Sequence, residues 1–387
     1  MTLARFLNGD EARKRHGAPL VDRLERGLNE VDELGGAIVA TFADLPSGAG
    51  TRMLNAWLDG AELPDPRLTE LFAQLAVVPD WVDWDAIERA AIAYWRGGNW
   101  TALALNCAAL AAGYYSGAGV KPLMFTGRLI HMARRRQQET ARWLLAASAP
   151  GGMRRDAPGF KETVQVRIVH ANVRRRLASS VRWRAQDWGA PINLTDIAWG
   201  IAGEFSTTPV RAMRDAGIHY TSAEREDIQH LWRYIGHVLG LPEDLQARSE
   251  AEALELMAIK HLVDTPADDD SRQLIRALIE NGTPPRLLFP AWVAYTAGPL
   301  IKPTLYGLTR RWAGKKTADE LGLPNTPLKH IVGITRPFVM AAELARRMGL
   351  RDDAAMAANT IARLQLILEK SNAPGHVVDV DEAARSV

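Results

Sequence analysis

Residues 167–174 read Arg-Ile-Val-His-Ala-Asn-Val-Arg, so Arg167 stands three residues before His170 and Arg174 four after it. On a helix these spacings stack all three on one face, one turn apart. Two guanidiniums and an ionisable imidazole repel one another unless something anionic lies among them. Haem would meet that need, with the imidazole on its iron and the guanidinium forks on its two propionates. The ordinary alternative is a solvated basic helix face with one incidental histidine, because Ile168, Val169 and Val173 interleave as in any amphipathic helix. Spacing alone favours that alternative.

A second group lies about thirty residues earlier, in His131-Met-Ala-Arg134-Arg135-Arg136-Gln-Gln-Glu139-Thr140. Arg136 and Thr140 are four residues apart, so a guanidinium and a hydroxyl project together from a helix. Glu139 has two readings. A carboxylate above a bound haem shuttles protons, whereas a carboxylate four after Arg135 and three before Arg142 is first expected in an ion pair. The ion pair is the stronger expectation. Glu226, His230 and His237 share a predicted face and suggest a metal triad of the histidine–carboxylate kind. Two histidines of unknown orientation are better assigned to core or surface roles. The single cysteine, Cys107, offers neither a disulfide nor the Cys-x-x-Cys-His that attaches haem covalently, so any haem is b-type.

The elements that must position these residues are helices, because apolar residues recur at helical spacing and strand-like alternation is nearly absent. Helices are expected over 20–34, ended by Gly35-Gly36, and over 51–57, 67–76, 84–95, 100–115, 125–147 and 160–180. Further ones follow over 194–216, 222–239, 249–263, 270–281, 290–312, 327–348 and 352–370, most bounded by Gly, Pro or a polar cap. Asp83 or Asp85 caps the helix from Trp84, and the acidic stretch 265–271 is a surface loop. The fold class is all-α, a single large helical domain over 1–370 with globin-like packing around a haem pocket, and 371–387 form a loose tail. Of twelve tryptophans, Trp81, Trp84, Trp95, Trp100, Trp143, Trp183, Trp188 and Trp199 cluster in the first half, where they most simply fill gaps between helices, the alternative being that some line a haem or apolar substrate channel.

With 47% apolar and 24% charged residues, the 387-residue chain is globular in composition. Its net charge is only +2, yet residues 128–184 hold fourteen Lys/Arg against three Asp/Glu. That excess requires anions if it is buried: propionates, nucleic-acid phosphates, or acids from elsewhere in the chain. A nucleic-acid-binding helical protein is therefore an alternative, though the near-neutral total and the lack of a known motif oppose it. The first residues lack the apolar run of a secretory signal, and the uncharged stretch 97–120 is too interrupted to span a bilayer. A cytoplasmic location is the expectation, with that stretch as a core helix.

The pattern Arg-x-x-His-x-x-x-Arg, preceded by Arg-x-x-x-Thr, resembles the signature of the latex-clearing (rubber oxygenase) family. Its superfamily includes fungal mpaB-type oxygenases that cleave a prenyl side chain. The segments 78–84 (Val-Pro-Asp-Trp-Val-Asp-Trp), 125–129 (Phe-Thr-Gly-Arg-Leu), 188–193 (Trp-Gly-Ala-Pro-Ile-Asn), 222–226 (Ser-Ala-Glu-Arg-Glu) and 232–234 (Trp-Arg-Tyr) are similar to family segments too, in the same order over residues 65–350. The resemblance implies a haem b oxygenase using dioxygen on an apolar, isoprenoid or unsaturated small molecule. It makes His170 the proximal iron ligand and puts Arg167, Arg174, Arg136 and Thr140 at the haem. A haem-binding protein that senses or stores without turnover remains an alternative. Two departures weigh against rubber itself as substrate. Rubber-cleaving members carry a lysine where this chain has Glu139, and their upstream active-site glutamate has no counterpart near 119–122.

Overall fold

Side-chain caps set where several helices start, each accepting a backbone N–H that the helix cannot satisfy itself. Asp83 accepts from Asp85 and Ala86 and starts Trp84–Trp95. Asn193, Ser249 and Asp268 each accept from the residue three further on, and Thr221 with Glu224 closes a reciprocal capping box at the head of Ser222–Val238. The structure, a computed structural model, describes residues 3–62, 65–125, 129–282, 289 and 297–370, with the side chains of 129–134, 281 and 282 outside that description.

Among the described residues the chain is all-α, one large helical domain without strands. The main core gathers Ile38, Leu54, Phe72, Tyr94, Leu103, Phe160, Ile168, Trp232 and Ile235. A smaller cluster seats the helices Gly9–His16 and Ala18–Gly27 against Trp199, Leu256 and Ile259. Arg5 clips this corner shut, donating to Asp196 and Asp264 with its side chain fully buried. No described helix is long and apolar enough to cross a membrane.

The expected helices are present, with informative differences. The apolar spacing predicts the first over 20–34, with Gly35-Gly36 as its stop. Instead one helix ends at Gly27 and a new one, Glu33–Ala43, runs straight through both glycines. A Cβ on Gly35 would lie 2.2 Å from Oδ2 of Asp32, so this glycine makes room for the cap rather than ending a helix. The stretch 100–115 and the stretch 194–216 are each interrupted by a π-helical segment, Leu105–Ala109 and Gly200–Thr207. Such segments insert an extra residue and are frequent at functional sites. The acidic loop ends early, because Asp268 caps a helix at Asp269. The expected starts near 125 and 290, and the tail 371–387, lie partly or wholly outside the described residues.

Two segments that carried the family resemblance pack on each other. Trp81 meets His230 edge-on at 5.5 Å, Arg233 stacks over Trp81 at 3.6 Å, and Trp84 meets Tyr234 at 5.2 Å. His230 accepts the Asp83 N–H at 2.9 Å, and His237 stacks on Tyr234. Both histidines thus serve helix–helix packing. Among the described residues no group of three His, Cys, Asp or Glu side chains is placed to hold a metal ion.

Candidate functional site

His170 sits in the middle of Pro158–Ala178, which packs along Leu129–Ala147 and Glu33–Ala43. Its helix buries Phe160, Val164, Ile168 and Ala171 on the core side, and the same face carries Arg167 and Arg174 inward. Both arginines are buried. The basic segment therefore turns key charges into the protein, which is not the arrangement of a phosphate-contacting surface.

The two arginines do different things. Arg167 is saturated by protein: Nε donates to Asp32 Oδ2 at 2.7 Å, Nη2 to Oδ1 at 2.6 Å, and Nη1 to the Val238 carbonyl at 3.2 Å. Gly240, at φ 95°, has no Cβ because one would lie 2.7 Å from the Asp32 carboxyl carbon and 2.9 Å from Arg167 Cζ. Arg174 instead donates Nη2 to the Asp32 backbone carbonyl at 2.8 Å and has no carboxylate of its own among the described residues. Burial pushes its guanidinium below the ordinary value.

Arg136 lies on Leu129–Ala147, and it makes no hydrogen bond or ion pair among the described residues. Burial lowers its proton affinity, offset only in part by Tyr114 and Glu139. His170 is pushed down to about 4, first by burial and then by the charges of Arg174 and Arg136. Its imidazole is neutral at physiological pH, with Nδ1 buried and without a partner. On the neighbouring helix both amide atoms of Gln137 are buried and unpartnered as well.

A second buried titratable pair, which the sequence did not suggest, is linked to this group through Tyr114. Glu204 stands in the π segment Gly200–Thr207 and ion-pairs with Lys260, Oε1 to Nζ at 3.5 Å. Gly113 lies opposite, where a Cβ would come within 2.6 Å of Glu204 Oε2. Burial raises the Glu204 carboxyl despite Lys260, and raises the Tyr114 phenol strongly. Tyr114 feels both Glu204 and Arg136, and Arg136 acts on His170. Tyr114, Arg136, His170 and Glu204 each keep some accessible surface while being strongly desolvated.

Of the remaining expected residues, Thr140 is exposed one turn beyond Arg136, and Glu139 pairs with Arg135 at 2.9 Å, the stronger of its two expectations. Cys107 is buried with its thiol pushed up to about 12, so it supplies no thiolate.

The donor set fits haem. A neutral, buried imidazole with one ring nitrogen unpartnered lies within electrostatic reach of two desolvated guanidiniums, neither of which is ion-paired to a carboxylate among the described residues, a set that suits an iron with two propionates.

Residues 94–359 match the family described as ER-bound oxygenase mpaB/B'/rubber oxygenase, catalytic domain. A rubber oxygenase from Streptomyces sp. (strain K30) is 24% identical over 186 residues, 46% of this chain and 42% of that protein. The match thus spans less than half the length of that relative. A solved structure of latex clearing protein in the closed state aligns with a TM-score of 0.59 at 20% identity, covering 89% of this chain and 91% of that one, which shows a common fold. The family match covers more than half of the chain and takes in the helices bearing Tyr114, Arg136, His170 and Glu204, so this protein belongs to the mpaB/rubber oxygenase family.

Proposed function

We propose that this chain is a haem b-dependent oxygenase that acts with dioxygen on an apolar small molecule of isoprenoid or other unsaturated kind. The observation that carries the reading is the buried, neutral His170, whose Nδ1 has no partner and whose proton affinity the nearby charges of Arg174 and Arg136 lower. His170 would hold the iron, and Arg136 and Arg174 would pair with the propionates. Bound there, haem would supply the binding and activation of dioxygen.

The chain's own residues do the rest. Arg167, locked by Asp32, fixes the rotation of the His170 helix and so the direction of the imidazole. Glu204 is poised to take or release a proton at its carboxylate, because burial favours the neutral acid and Lys260 favours the charged form. Behind it Phe205 stacks on Trp232 at 5.2 Å, and Trp143 meets Phe205 edge-on, giving an apolar backing that excludes water. With Glu139 committed to Arg135 and no lysine at that place, a small metabolite is a better substrate than a polymer.

The test is incubation of the purified holoprotein with prenylated and unsaturated small molecules under isotopically labelled dioxygen. Label entering a product supports an oxygenase. Full haem occupancy without turnover on any of them would instead favour a protein that senses or stores haem.

A further inference from the structure

The helix Ile331–Ala345, continued by a π segment Arg346–Leu350, is apolar on two opposite faces. One face is accounted for. Val332 is buried, Thr335, Val339 and Ala342 are half-buried, and the helix lies against Thr208–Ala216, where Gly217 leaves space for Met340 and the Arg336 backbone. The other face points into solvent. Ile334 is 70% exposed, Phe338 76%, Leu344 57% and Met348 68%. With exposed Ala341 they follow one another at steps of four, three, three and four, the spacing of a continuous stripe along a helix. Large apolar side chains arranged contiguously on a surface mark something that covers them.

The charge pattern says what. Arg336 and Arg347 are exposed beside the stripe, Arg351 follows at its end, and Lys329 precedes it. None of these four is in an ion pair among the described residues, whereas Arg346, turned inward, is held by Glu343 and Asp353. Residues 326–351 contain five Lys/Arg and one Asp/Glu. A second copy of the chain is a poor occupant, since a two-fold contact on this stripe would bring its cations against their own copies. An anionic lipid surface matches both parts, taking the apolar side chains at the acyl boundary and the cations at the headgroups.

We propose that the outer face of Ile331–Leu350 docks this protein peripherally on an anionic lipid surface. Ile334, Phe338, Leu344 and Met348 insert, and Arg336 and Arg347 pair with headgroups. The docking is distinct from the oxygenase reading, and vesicle partition is read without turnover, so either fails without the other.

The holoprotein is sedimented with vesicles of phosphatidylcholine mixed with phosphatidylserine, and with phosphatidylcholine alone. The expected result is partition onto the mixed vesicles, weakened by salt and by omitting the anionic lipid. The double substitution Ile334→Asp/Phe338→Asp should lower it by about tenfold or more. Arg336→Glu/Arg347→Glu should abolish the salt-sensitive part. Circular dichroism checks that both remain helical, and Ile334→Ser/Phe338→Ser replaces the first pair if it does not fold. No partition of the full chain, or partition that ignores both double substitutions, overturns the proposal. So does partition that appears only after removal of residues 371–387, which would make the tail the occupant. Wild-type self-association that Ile334→Asp/Phe338→Asp abolishes, without vesicle binding, would make the occupant a second copy.

Discussion

Arg167 and Asp32 close a bidentate ion pair inside the protein, although 135 positions separate them in the chain. Asp32 also caps Glu33–Ala43 and gives its carbonyl to Arg174, so one residue ties an N-terminal helix to both arginines flanking His170. It lies outside the region matching the family. Asp32→Ala strands a buried guanidinium and should cost about 3–5 kcal/mol, read by urea unfolding. Pairing it with Arg167→Met should recover most of that loss. A cost below about 1 kcal/mol for Asp32→Ala, the usual ceiling for an exposed pair, would contradict the buried bridge.

Arg136 separates a cofactor role from a structural one. Its guanidinium is desolvated without a carboxylate partner, and it disfavours the protonated form of His170. Arg136→Met should leave the haem-free protein as stable as the wild type or more so. It should nonetheless weaken haem retention by roughly 1.5–3 kcal/mol, the loss of one charge-assisted contact. Arg174→Ala should also purify pale, whereas Arg89→Ala, an exposed pair with Asp227, should not. Equal haem content in all three would contradict the assignment.

The depressed proton affinity of His170 has a definite sign. The folded state favours the neutral ring, so its contribution to stability is present above the ordinary histidine value near 6.5 and is lost as pH falls toward about 4. In the haem-free protein the His170 ring resonances should shift near pH 4. Titration near 6.5 would show that burial does not desolvate the ring.

Glu204 was not legible in the sequence as a site residue, and its substitution is the sharpest check on the proposed proton path. Glu204→Gln should retain haem yet lower turnover by about a hundredfold or more, with Glu204→Asp partly restoring it. Glu204→Gln/Lys260→Met controls for the ammonium left unpaired. Unchanged turnover in the folded variants would remove Glu204 from the proton path.

Helical periodicity was enough to place most helices, because a 3.6-residue apolar stripe reports burial directly. It failed at Gly35-Gly36, where two glycines that look like a stop lie inside a helix to admit the Asp32 side chain. Spacing also put Arg167, His170 and Arg174 on one face, and they are so placed, but spacing could not show that Arg167 is consumed by Asp32. Tyr114 and Glu204 carry no local signature. Their chemistry comes from desolvation by helices distant in sequence.

The central claim is that His170 binds haem b, and the most direct measurement is the pyridine haemochrome spectrum of wild type and His170→Ala, purified side by side after expression with added haem precursor. The wild type should carry b-type haem near one per chain, and the ferrous carbon monoxide complex should have the Soret position of a histidine-ligated haem. His170→Ala should be colourless or nearly so while remaining helical. A colourless wild type, or equal haem in the two proteins, would contradict the account.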